Sequence, residues 1–157
     1  MKNNIYNEKQ SFLNWWLCGL LIILLGIEVN DIYSTYQTTK NLEFGVGFWI
    51  ISVISIAFLL IRLNTKIDAN GILITFIPFV YKRRFPWEDI ASIYIREYSI
   101  TDFGGWGYRI SSQGKAYNTK GKYGLQLIMK SGEKIMIGTQ RPQELEEIIK
   151  NYKDETK

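Results

Sequence analysis

The sequence predicts an α+β protein: a two-helix transmembrane hairpin, then an antiparallel β-barrel or sandwich of about seven strands, capped by a C-terminal helix. Two observations predict it. Of the 19 Lys and Arg residues, 15 lie beyond Leu63, whereas the long apolar runs lie ahead of it. Past Leu63 the hydrophobic pattern also shortens from unbroken runs to alternation, the period of strands. The two parts of the chain are therefore built for different solvents.

Residues 1–11 read as a tail that carries Lys2 and Lys9. Residues 12–29, FLNWWLCGLLIILLGIEV, form the first expected span. The stretch from Phe12 to Ile27 is free of charge and would make ~24 Å of helix at ~1.5 Å per residue. A hydrocarbon core is ~30 Å thick, and Asn14 and Glu28 near the ends can reach toward headgroups and water. Residues 30–43 read as an external loop, and residues 44–63 as the second span. In that span FGVGFWIISVISIAFLLI is uncharged, and Arg62 with Leu63 brings it to spanning length. Lipid offers backbone groups no water, so helix is the state expected of each run. Trp15, Trp16, Tyr33 and Tyr36 stand where an aromatic belt would lie. The first run lacks a small-x-small cleavage site, which argues for a retained span over a signal peptide. Lys2, Lys9, Arg62 and Lys66 flank the pair on one side. On the other, Lys40 is outnumbered by Glu28, Asp31 and Glu43, so the positive-inside rule places both termini in the cytoplasm.

Residues 64–152 read as the folded domain, with 153–157 as a tail. Lys66-Ile67-Asp68 and Ile72-Leu73-Ile74-Thr75-Phe76 flank an Asn70-Gly71 turn, the signature of a tight hairpin. A strand is expected between Pro78 and Pro86, and another over residues 90–98, where Ile93 and Ile95 alternate with Tyr94 and Arg96. Leu125, Leu127 and Met129 alternate in turn, and a Ser131-Gly132 turn leads to Lys134-Ile135-Met136-Ile137. Pro142 suits a first helical position, with Glu144, Glu146 and Glu147 early and Lys150 and Lys153 late, as the helix dipole favours. Leu145, Ile148, Ile149 and Tyr152 then form one apolar stripe.

Several segments carry a resemblance beyond this order of elements: Pro86-Trp87-Glu88-Asp89-Ile90, Gly104-Gly105-Trp106-Gly107-Tyr108-Arg109, Gly114-Lys115-Ala116-Tyr117-Asn118, Gly121-Lys122-Tyr123-Gly124-Leu125-Gln126-Leu127 and Ile137-Gly138-Thr139-Gln140-Arg141-Pro142-Gln143-Glu144-Leu145. Over residues 64–152 the chain resembles bacterial membrane proteins with a pleckstrin-homology-like domain behind short transmembrane segments. The resemblance implies that fold and an address in the bacterial cytoplasmic (inner) membrane. It supplies no catalytic or ligand residues.

The chain has no His and a single Cys, Cys18, which excludes disulfides within the chain, a Cys/His zinc cluster and an imidazole base. With no P-loop, dinucleotide fingerprint or nucleophile elbow, the expectation is a protein that is not an enzyme, with no cofactor and no metal. The unusual stretch is 104–124, with six glycines, four cations and no acidic residue among interleaved aromatics. Such a stretch can meet anionic headgroups, and Lys82-Arg83-Arg84 could extend it. The candidate lipid or partner contacts are Lys82, Arg83, Arg84, Trp106, Arg109, Lys115, Tyr117, Lys120 and Lys122. Two functions follow: a non-catalytic, membrane-tethered scaffold for a protein partner or for self-association, and alternatively anionic-lipid recognition through the basic stretch. Nucleic acid is not an expected partner, because the tether and the modest net charge speak against it.

Overall fold

The computed structural model describes residues 6–99, 105, 107–111 and 114–155. Among these the chain forms β1 (Tyr6–Ser11), α1 (Trp15–Thr39), α2 (Val46–Leu60), β2 (Arg62–Asp68), β3 (Gly71–Ile77), β4 (Val80–Phe85) and β5 (Ile90–Glu97). There follow β6 (Gly107–Ser111), β7 (Gly114–Asn118), β8 (Tyr123–Met129), β9 (Lys134–Thr139) and α3 (Pro142–Glu155). The fold is α+β and divides into two units, residues 11–61 and a β unit of residues 1–10 with 62–157.

In the first unit, α1 is the one described helix long and apolar enough to cross a membrane. It continues ten residues past the expected end at Val29, because Asn30 to Thr39 contains neither Gly nor Pro to break it. The expected loop over 30–43 is thus largely helix. Lys40 ends it in the left-handed conformation (φ 59°), its amide donating to the Tyr36 carbonyl. The second helix, α2, has 15 residues, or ~22 Å. It stops short of the expected 44–63 span because Arg62 and Leu63 belong to β2, where Leu63 is fully buried. Within the unit, Phe12 stacks on Phe58 at 5.6 Å, and its amide donates to the Ile61 carbonyl. None of the α2 residues is buried.

The β unit is sandwich-like, with two open sheets in the orders β1-β2-β3-β4 and β5-β8-β9-β7-β6. The first hairpin takes the expected register: Asp68 pairs with Gly71 across a two-residue connection, and Arg62 pairs with Ile77. Leu63, Thr65 and Ile67 of β2 oppose Phe76, Ile74 and Ile72 of β3, and all six are buried. In the second sheet Leu125, Leu127, Ile135, Ile137 and Tyr117 share one buried face. Tyr98, Ala116 and Met136, of opposite alternation, form a separate buried cluster. Leu145 and Ile149 of α3 are buried, and α3 lies against β5 and β8. Trp87 fastens this helix to the first hairpin, stacking on Tyr152 at 4.8 Å while its indole N–H donates to the Asp68 carbonyl at 3.0 Å.

Three features depart from the expected domain. Nine strands are described rather than about seven. One pairing, β7 with β9, is parallel, so the domain is not wholly antiparallel. Residues 6–11, read as tail, are β1, an edge strand of the first sheet.

Candidate functional site

Four of the predicted cations, Arg83, Arg84, Lys115 and Lys122, are paired with carboxylates of the same chain. On β4 side chains alternate, and Arg83 pairs across the ladder with the buried Ile74, which turns it toward the inner face, whereas Lys82 and Arg84 are exposed. Arg83 Nη1 donates to the hydroxyl of the buried Tyr117 at 3.0 Å, and Nη2 lies 3.3 Å from Glu133 Oε2. Lys115 Nζ meets the same carboxylate at 2.7 Å, and Tyr108 stacks on Tyr117 with ring centroids 5.2 Å apart. Arg83 and Lys115 thus converge from both sheets on Glu133, at the turn between β8 and β9, and Arg83 also holds Tyr117. The hydrogen bond from Lys115, with help from Arg83, holds the Glu133 carboxyl below its ordinary range despite partial burial. Burial pushes the Tyr117 hydroxyl up, and Arg83 offsets part of this. The chain supplies its own counter-ion here, so an external anion would have to displace Glu133.

The other predicted cations are placed separately. Arg84 pairs with Asp68 at 2.9 Å, and this contact, the Asn70 amide and Lys66 outweigh burial to hold the Asp68 carboxyl low. Lys122 is exposed and paired with Glu97 at 3.1 Å, which raises its ammonium pKa through that hydrogen bond. Lys82 lies over the Tyr81 ring at 5.2 Å. Arg109 is exposed on β6, and the Lys120 carbonyl accepts from Gln140 Nε2 at 2.7 Å. Trp106 lies outside the described residues. The described parts of 104–124 are mainly the β6–β7 hairpin rather than an open loop. Beside the Glu133 clamp an open groove of about 420 Å³ is lined by Ile110, Ser111, Gly114, Lys115, Gly132, Glu133 and Lys134. A second, of about 320 Å³, runs between β5 and α3, lined by Ile93, Ile95, Tyr123, Glu146, Ile149 and Lys150 among others.

Sequence reasoning missed β1 altogether. Its inward side chains, Tyr6, Glu8 and Gln10, are polar yet buried. Glu8 Oε2 accepts from the Tyr6 hydroxyl at 2.6 Å and the Thr139 hydroxyl at 2.8 Å, and Oε1 accepts from the Gln140 amide at 2.7 Å. Gln10 donates to the Gly138 carbonyl at 2.7 Å and accepts from the Thr119 hydroxyl at 2.8 Å. Arg141 covers the Tyr6 ring at 5.0 Å and donates to the Asn7 carbonyl at 2.6 Å. Burial, then the Glu8 hydrogen bond, drives the Tyr6 pKa above its ordinary value, so the phenol stays a donor. The signal was the alternation itself, which in this strand is written in polar residues.

Among the described residues no three metal-ligating side chains gather. Neither a protein-family model nor a curated protein matches the chain.

Proposed function

We propose that this protein is a non-catalytic module tethered to the bacterial inner membrane by a helical hairpin. Its β unit, a pleckstrin-homology-like sandwich, serves protein contacts or self-association at the inner leaflet. The observation that carries the tether is the neighbouring of β1 and β2 in one sheet. These strands flank residues 12–61, so both ends of that segment lie on one side of any bilayer. If α1 crosses, the chain must cross back, and α2 is the available return. Its 15 residues need the apolar flanks Phe44 and Ile61, or local thinning, to match the core. Trp49, Ile50, Val53, Ile56, Leu59 and Leu60 are exposed on α2, a run of large apolar side chains that a water-soluble monomer ordinarily covers. With both strands in the cytoplasm, Lys9 and Arg62 satisfy the positive-inside rule.

A contact module fits the β unit better than a headgroup reader does. Arg83, Arg84, Lys115 and Lys122 are each paired with a carboxylate of the same chain, which leaves few of the predicted cations for lipid phosphates. A tether raises the effective concentration for membrane-bound partners, so weak contacts suffice. Cross-linking in cells, followed by purification in mild detergent, tests the proposal. The expected result is a dimer or a reproducible protein partner. A strict monomer with nothing co-purifying would count against it.

A further inference from the structure

The turn between β3 and β4 is apolar where a water-facing turn is ordinarily polar. Among the described residues of the β unit, five large apolar or aromatic side chains are exposed, and three fall in this turn or on the strand ends beside it: Ile77 (44 %), Phe79 (52 %) and Tyr81 (76 %). Pro78 lies between the first two and is exposed as well. The Phe79 ring sits 5.4 Å from the ring of the buried Phe76, so the tip is seated on the core from behind. The exposed cations Arg62 and Lys82 flank it.

Strand register fixes which end of the sheet carries this tip. Arg62, the first residue of β2, pairs with Ile77, the last of β3. Only Ile61 separates Arg62 from Leu60, where α2 ends, so two Cα steps of ~3.8 Å lead from helix to sheet. The apolar turn therefore lies at the end of the sheet where the chain leaves the apolar helix. The turn between β2 and β3, with the polar Asn70, lies at the opposite end.

We propose that the Ile77-Pro78-Phe79 turn, together with Tyr81, is a second membrane contact. It dips into the headgroup region of the bilayer that holds the helices, while Arg62 and Lys82 face lipid phosphates. Apolar and aromatic side chains beside cations are the pairing that interfacial anchors use. The proposal rests on the tether reading and adds to it a lipid contact made by one end of the first sheet.

The test uses the full chain carrying Cys18→Ser and a single new cysteine labelled with the environment-sensitive fluorophore NBD. The protein is reconstituted in vesicles of phosphatidylcholine and phosphatidylglycerol. Phe79→Cys is the main reporter, and Tyr81→Cys serves if loss of the Phe76 contact prevents folding. Asn70→Cys is the reference at the far end of the sheet. The expected result is blue-shifted emission at position 79 or 81, quenched by lipids carrying a shallow doxyl group, with water-like emission at position 70. Water-like emission at 79 and 81 in protein that floats with the vesicles overturns this proposal and leaves the tether standing. A blue shift without lipid quenching assigns the turn to a protein contact and also overturns it. Protein that fails to float overturns the tether and this proposal together.

Discussion

Replacing Glu8 with Ala tests whether the polar strand β1 is a built part of the β unit. The carboxylate accepts three hydrogen bonds, from the Tyr6 hydroxyl, the Thr139 hydroxyl and the Gln140 amide, at 2.6 to 2.8 Å. After truncation the Tyr6 hydroxyl can turn to Thr139 Oγ1, 3.3 Å away, but the Thr139 hydroxyl and the Gln140 amide lose their acceptor. A buried donor left unpaired costs ~1–3 kcal/mol, so Glu8→Ala should destabilise by ~3 kcal/mol. Glu8→Gln keeps an acceptor for the Gln140 amide and should cost ~1 kcal/mol. The assay is urea unfolding of the full chain in mild detergent, with hydrogen exchange read at the β1 amides. A loss of ~3 kcal/mol corresponds to ~100-fold faster exchange where opening is local. A cost for Glu8→Ala within ~0.5 kcal/mol, with β1 protection unchanged, would refute the reasoning.

The Glu133 clamp should be modest because its members are about one-third exposed: a double-mutant cycle of Arg83→Ala with Glu133→Ala should give a coupling of ~0.5–1 kcal/mol. The folded-state pKa values of Glu133 and Asp68 are depressed, so their stabilisation is present above the ordinary carboxylate range and lost as pH falls through the folded values. Acid titration of stability should therefore flatten in a Glu133→Gln, Asp68→Asn variant, and an unchanged acid limb would contradict this. At Gly114 (φ 116°) a Cβ would strike the Lys134 backbone carbonyl, so Gly114→Ala should cost ~2–4 kcal/mol and loosen β7 from β9. Gly132→Ala, with open space around it but φ 84°, should cost only ~1 kcal/mol, and thermal melts of the two variants rank them. Trp87→Ala removes both the Tyr152 stack and the bond to the Asp68 carbonyl and should cost ~2–3 kcal/mol, with α3 the first element to lose exchange protection.

Where local chemistry decides structure, the sequence was readable. The Asn70-Gly71 turn, the alternation of Leu125, Leu127 and Met129, and the apolar stripe of α3 each determine their own element within a few residues. Helix boundaries were less so. Nothing in Asn30–Thr39 stops a helix once started, and Leu63 looks as apolar in a span as it does in a strand, so only its pairing with Phe76 decides. The β6–β7 hairpin was hidden because Gly107 and Gly114 offer no apolar alternation, and the parallel seat of β7 on β9 is a long-range choice. The candidate site was legible in residue type but not in arrangement. Arg83 and Lys115 stand 32 positions apart in sequence, and the carboxylate that joins them, Glu133, lies outside the basic stretch altogether.

In the proposed topology, residues 12–61 leave the side of the membrane that holds the β unit and return to it. Single cysteines in place of Lys9, Asn41 and Asn70, in a Cys18→Ser background, can be probed with a membrane-impermeant thiol reagent in intact cells and in inverted vesicles. Asn41→Cys should react in intact cells alone, and Lys9→Cys and Asn70→Cys in inverted vesicles alone. Reaction of all three from one side, or of positions 9 and 70 from opposite sides, would contradict the account.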